Sequence, residues 1–219
     1  MSKDEKQDAK ERLLSAGLKL FAERGFDGST FRDICDAADT NIASINYHFK
    51  DKDTFYLAVR EYAWSLHRKM MVRFWEMVPK DPWAALRIHI EILLEAAFDE
   101  QMNLVSWFRM RELMDYERLP IHSESGTKDC RHRQYAEKMT TFLSALLGTA
   151  TTSENISLLR YTYHSLCQFM PIHRQIEDRM LQGRGAFNLA PLLTKEQLAD
   201  FIFQTVKHTV ENMQAAQSK

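Results

Sequence analysis

The chain has 219 residues, enough for one large domain or two small ones, and 45% of them are apolar, which suffices for a buried core. Twenty-nine Lys and Arg oppose 30 Asp and Glu, so the net charge of −1 favours no particular partner and weighs mildly against nucleic acid. No apolar run approaches the roughly 18–20 residues that cross a bilayer, so no membrane association is expected.

Only seven Gly and five Pro interrupt the chain, while Leu, Ala, Glu, Lys, Met and Gln are plentiful, so an all-α fold is expected. The charged opening M-S-K-D-E-K has no apolar stretch behind it and does not read as a secretion signal. Leu13, Ala16, Gly17, Leu20 and Phe21 recur at helical spacing and predict a first helix over 10–23, stopped by Gly25. Thr30 reads as the N-cap of a short second helix reaching about 39, with Asp33 completing an approximate capping box. Thr40 and Asn41 break and re-cap the chain before a third helix over 42–48. Its Ile42 and Ile45, with Phe49, share the face to be buried. Asp51 then caps a long connecting helix over 52–77, ended by Pro79. Further amphipathic helices are predicted near 82–99, 101–116, 128–148, 153–181 and 194–215, with loops at 117–128 and 182–193. Cys35, Cys130 and Cys167, odd in number and far apart, suit free thiols in a reducing cytoplasm.

Two short helices separated by a tight turn and braced by a longer one describe a helix-turn-helix, whose second helix lies in the major groove of DNA. The stretch T-N-I-A-S-I-N-Y-H-F-K-D-K at 40–52 meets the demands of that role. Ala43 and Ser44 are small enough for close backbone approach, and Thr40 belongs to the same set. Asn41 and Asn46 both donate and accept hydrogen bonds, as adenine edges require. Tyr47 and His48 suit phosphate oxygens, Lys52 adds a cation, and Thr30 sets a hydroxyl beside orphan backbone N–H groups. Through residue 60, ten Lys and Arg meet eleven Asp and Glu, so binding must rest on a few placed cations, helix ends and neutral donors. Spacing and composition alone leave a second reading open, a helical hairpin with its rings in the core and its lysines solvated.

The segment G-F-D-G-S-T-F-R-D-I-C-D-A-A-D-T-N-I-A-S-I-N-Y-H-F-K-D-K closely resembles the DNA-binding segment of TetR-family transcriptional regulators. The resemblance runs through Thr30, Ile34, Ala37-Ala38, Tyr47-His48-Phe49 and Lys52, the recognition motif spanning about 30–49. Asp39 stands where the family usually has Gly at the turn, and Asp tolerates the left-handed geometry. Asn46 replaces a frequent Tyr. The form N-I-A-S-I-N-Y-H-F is most similar to a CecR-like branch, with echoes at 107–114, 164–169 and 193–202.

The resemblance implies a helix-turn-helix domain over 8–68 and a ligand-sensing, dimerising helical bundle over 69–219. It implies a homodimer on a palindromic double-stranded operator, most often as a repressor released by a small molecule. Ile156 and Leu159 on one helix and Leu198, Ile202, Val206 and Val210 on the last are compatible with a four-helix dimer seam; an intramolecular core is the other reading. Phe98, Trp107, Phe108 and Met114 with Tyr163, Cys167 and Met170 suit the walls of an apolar effector cavity. Arg111 and His164 are placed to orient a polar group of an apolar or aromatic ligand. No enzymatic role and no cofactor are expected: the chain carries no Gly-rich phosphate loop, no G-x-S-x-G and no H-E-x-x-H. Cys130 with His132, and His164 with Cys167 and His173, lack full metal-ligand spacing. The rival readings are a helical protein-interaction module and a small-molecule enzyme.

Overall fold

A computed structural model describes residues 3–115, 129–182 and 193–217, and among them every regular element is helical. In chain order these are α1 (Lys3–Arg24), α2 (Phe31–Ala37), α3 (Ile42–His48), α4 (Lys52–Met70), α5 (Val72–Met77), α6 (Pro82–Phe98), α7 (Glu100–Met114), α8 (Asp129–Leu147), α9 (Ser153–Gln182) and α10 (Lys195–Gln217). A 3₁₀ turn, Gly148–Ala150, follows α8. The loop expected at 117–128 and all but the two end residues of the one at 182–193 lie outside the described residues.

The helix starts are set by side chains that take up orphan backbone donors. Thr30 and Asp33 form the reciprocal capping box of α2, the Thr30 N–H donating to Asp33 Oδ2 at 2.9 Å and the Asp33 N–H to Thr30 Oγ1 at 3.1 Å. Asp51 Oδ1 accepts the Thr54 N–H at 2.8 Å, and Asp81 Oδ1 takes those of Trp83 and Ala84 behind Pro82. Thr194 and Gln197 repeat the reciprocal arrangement at α10. Gly25, at φ +75°, closes α1 by donating to the Phe21 carbonyl at 3.0 Å.

The helix expected over 52–77 is broken at Met71, although neither Gly nor Pro stands there. Met71 sits at φ −79° and ψ −1°, and its side chain is 1% exposed in the second of two cores. The helices sort into two compact units. One gathers α1–α4 with α7, the other α5, α6 and α8–α10, the chain crossing after Lys69 and after Asp99.

The first unit is packed around Leu13, Phe21, Ile34, Ile45, Phe55 and Val59. Gly17 is there because α1 and α4 touch: a Cβ at that position would lie 2.6 Å from the Phe55 ring and 2.8 Å from Val59. Ser29 is fully buried, its hydroxyl set between the carbonyls of Leu20 and Gly25 at 3.2 and 3.0 Å. Helix α7 joins this core through Val105 and Phe108, the Phe108 ring 5.4 Å from that of Tyr56. Arg111 donates to the Glu23 carbonyl at 3.1 Å, and Arg60 pairs with Glu112 at 2.8 Å, both side chains largely buried. This unit is therefore built from two stretches of chain and not from 8–68 alone.

The second unit closes around Phe74, Leu86, Ile90, Phe142, Leu143 and Tyr163. Leu159, Leu198, Ile202, Val206 and Val210, placed at a dimer seam by the resemblance, are at most 4% exposed and belong to this intramolecular core, with Ile156 packed half-buried on it. The apolar stripe of α10 is used up against α6 and α9 of its own chain. Among the described residues, the large apolar side chains these helices leave outside are Leu158, Tyr161 and Phe169 on α9 and Phe201 on α10.

Candidate nucleic-acid interface

Helix α3 has seven residues, and Ile45 alone within it is fully buried, assisted by Phe49 just beyond its end. Phe49 packs edge-on against Phe55 at 4.9 Å, so two apolar anchors seat the helix on the core. Ile42, expected to be the third, is 42% exposed. Placed at the first helical position, it misses the face that Ile45 and Phe49 define. Ala43, Asn46 and Tyr47 are exposed as well, Tyr47 at 69%, while Ser44 and His48 are half-buried. Ile42, Ala43, Asn46 and Tyr47 fall at successive steps of one, three and one residues and make one broad outward face.

The polar residues flanking α3 are more committed than the sequence indicated. Asn41 is the N-cap, its Oδ1 accepting the Ser44 N–H at 2.9 Å, so that acceptor serves the helix first. Thr40 turns its hydroxyl oxygen inward, out of solvent, beside Cys35. It does not belong to the outward face. Burial of the Cys35 thiol raises its pKa and makes it a small apolar core group. Asp39 holds the turn between the helices at φ +50°, the left-handed conformation expected of it.

At α2 the Thr30 hydroxyl donates to Asp33 Oδ2 at 2.6 Å. Those hydrogen bonds, from the Thr30 side chain and backbone and then the nearby Arg24, hold the Asp33 carboxyl below its ordinary pKa. A fixed carboxylate thus occupies the helix end where a phosphate was expected. Lys52 lies 4.4 Å from the centre of the Phe26 ring, half-buried. Burial pulls its pKa down, opposed by Asp27 and Asp53. Lys50, two residues earlier, is exposed on the turn that follows α3.

The residues expected to form an effector cavity fall into different units. Phe108 is core of the first unit, Arg111 is tied there to Glu23, and Trp107 and Met114 are exposed on the same helix. The cause is the packing of α7 on α1. In the second unit Tyr163 and Cys167 are fully buried, with His164 half-buried and Phe98 half-buried at the end of α6. His89, which no motif signalled, joins them: its ring stacks on Phe74 at 4.4 Å, and its Nδ1 lies 3.4 Å from the Tyr163 hydroxyl. The His164 ring is 4.4 Å from that of Tyr163. Burial raises the pKa of Tyr163 and takes that of Cys167 up to about 12, so both stay protonated. A polar cleft of about 150 Å³ between α6 and α10, lined by Arg87, Glu91, Glu95, Lys195 and Glu196, shares no residue with the expected set. The side chains of Met170, Cys130, His132 and His173 lie outside the described residues. Among the described residues no group of His, Cys, Asp and Glu is arranged to hold a metal, and no helix is long and apolar enough to cross a membrane.

Residues 13–59, from the middle of α1 into α4, match the model for bacterial regulatory proteins of the tetR family. The chain is 28% identical over 105 residues to the HTH-type transcriptional regulator AcrR of Shigella flexneri, covering 48% of this chain and 49% of that one. It is 38% identical over 47 residues to the probable HTH-type transcriptional regulator YttP of Bacillus subtilis, covering 22% and 23%. The matches thus span about half of one relative and a quarter of the other. Among solved structures, AibR in complex with isovaleryl coenzyme A and operator DNA superposes with a TM-score of 0.62 at 15% identity, over 90% of this chain and 97% of that one. That likeness is one of fold. The matched segment carries the tetR-family pattern and singles out no branch within that family.

Proposed function

We propose that this chain, whose residues 13–59 match the tetR family of bacterial regulatory proteins, is a ligand-responsive transcriptional repressor of that family that holds a palindromic operator as a dimer. The observation that carries the reading is the outward face of α3: Asn46 and Tyr47 point to solvent from a helix anchored only by Ile45 and Phe49. Asn46 is suited to adenine in the major groove, and Tyr47 to a phosphate oxygen. Ala43 and half-buried Ser44 keep the approach close, His48 stands beside Tyr47 at 5.0 Å, and Lys52 contributes charge from over Phe26. Lys50 is the cation most available to the DNA backbone.

The effector belongs to the second unit. Support comes from the buried His89–Tyr163 pair with half-buried His164 beside it, polar atoms set in an otherwise apolar core, which suits a largely apolar ligand with one hydrogen-bonding end. AibR, crystallised with isovaleryl coenzyme A and operator DNA, is a fold neighbour with that kind of dual occupancy. Effector binding lowers operator affinity only if the ligand prefers the DNA-free arrangement. Leu158, Tyr161, Phe169 and Phe201 are the pairing surface.

The test is titration of the protein against the DNA flanking its own gene at about 50 and 200 mM salt, repeated with a metabolite panel. Tyr47→Phe and Lys50→Ala should each weaken binding, Lys50→Ala with a salt slope shallower by about 1. Absence of any DNA binding by the folded protein would turn the reading toward an interaction module.

A further inference from the structure

Between residues 7 and 69 the only large apolar side chains that are exposed are Ile42 and Tyr47, and both stand on α3. Isolated exposed apolar residues need no explanation on a general surface. Here the two fall on the same seven-residue helix, while its own packing uses Ile45 and Phe49. Nor does helix formation ask for isoleucine at position 42, since a β-branched residue at an exposed helical position has no advantage in propensity. Tyr47 has a hydroxyl to offer a phosphate. Ile42 has only methyl and methylene groups.

We infer that Ile42 reads the 5-methyl group of a thymine in the major groove, and that Asn46 reads an adenine beside it. This rests on the proposed docking of α3 on DNA. Ile42 and Asn46 are four residues apart, one turn along the same side of the helix. The major groove offers a single apolar feature among its base edges, the thymine methyl. Every other edge there, and every phosphate, is polar, and an isoleucine pressed on one would strip its water without returning a hydrogen bond. Ile42 therefore favours thymine and disfavours a cytosine amino group at the same place. Asn41 does not compete for the adenine, because its Oδ1 is held by the Ser44 N–H. Asn46 takes no part in that cap and has both amide atoms to offer. Each half-site thus contains a thymine and an adenine at fixed separation.

The test is selection from random duplexes by wild type, Ile42→Ala and Asn46→Ala, followed by deoxyuridine substitution in the best wild-type site. Circular dichroism of the variants, whose changed side chains are exposed, checks that they fold. Wild type should enrich a thymine that Ile42→Ala no longer selects, while the adenine lost with Asn46→Ala persists in the Ile42 variant. Uracil for that thymine removes only the methyl group and should weaken wild type about fourfold per half-site, leaving Ile42→Ala unchanged. Retention of the same thymine by Ile42→Ala, or equal wild-type affinity for the uracil duplex, overturns the assignment. Wild type that enriches no sequence overturns the DNA-binding reading itself and this inference with it.

Discussion

Two residues at turns and contacts show how closely the first unit is tuned. Asp39 occupies φ +50° where an L side chain is disfavoured, and Asp is among the few non-Gly residues that tolerate it. Asp39→Gly should raise the unfolding free energy by about 0.5–1 kcal/mol, and Asp39→Val should lower it by more than 1 kcal/mol, both read from urea melts. Gly17 presents the opposite case. On propensity alone Gly17→Ala would stabilise α1 by about 1 kcal/mol, but the added methyl meets the Phe55 ring at 2.6 Å. Overpacking of this kind costs about 1–3 kcal/mol, so a lower melting temperature is expected. The left-handed turn at Asp39 was legible through the resemblance, because Asp39 stands where the family usually has Gly. The exposure of Ile42 was not: periodicity gives the faces of a helix, and at a terminal residue the face is fixed by the angle of docking.

Helix existence was legible almost everywhere among the described residues, since helical spacing and caps such as Thr30, Asn41 and Asp51 are local chemistry. What each helix packs on is not local, and α7 is the clearest instance. Its Phe108 and Arg111 read equally well as cavity walls, yet they dock on α1 and α4 beside the buried Arg60–Glu112 pair. That pair has a measurable pH signature. Burial raises the Glu112 pKa above its ordinary 4.5, with Arg60 opposing. A carboxyl whose folded pKa is raised binds its proton more tightly in the folded state, so its contribution is complete below about 4.5 and is lost as pH rises through the folded value. Relative to Glu112→Gln, whose side chain does not titrate, the wild-type melting temperature should therefore fall as pH increases from 4.5 upward. The slope of that difference is the readout, because the variant also leaves Arg60 facing a neutral partner at every pH. A difference that rises with pH would mean that attraction to Arg60 outweighs burial.

At the scale of the whole molecule, an amphipathic stripe states that a helix has a buried face but not whose atoms bury it. The stripe of α10 could belong to a partner or to its own chain, and Ile202, Val206 and Val210 at 0% exposure belong to its own. In the proposed dimer, pairing draws on what remains outside among the described residues of these helices: Leu158, Tyr161 and Phe169 on α9, with Phe201 on α10, each about half exposed or more. The two sets predict different failures. Ile202→Ala opens a cavity in the core and should cost about 2–5 kcal/mol of stability while leaving the oligomeric state of the folded protein unchanged. Tyr161→Glu combined with Phe201→Glu places charges where apolar surface should be buried, and should give a folded monomer in sedimentation with an unaltered helical spectrum. On the proposed reading, a monomer brings one α3 to an operator built for two. The second half-site is then no longer bound intramolecularly, and affinity for the palindrome should fall on the order of 10²–10⁴-fold. Affinity for an isolated half-site should not change, because α3 and its outward face are untouched. A double variant that remains dimeric would move the pairing surface elsewhere on the second unit.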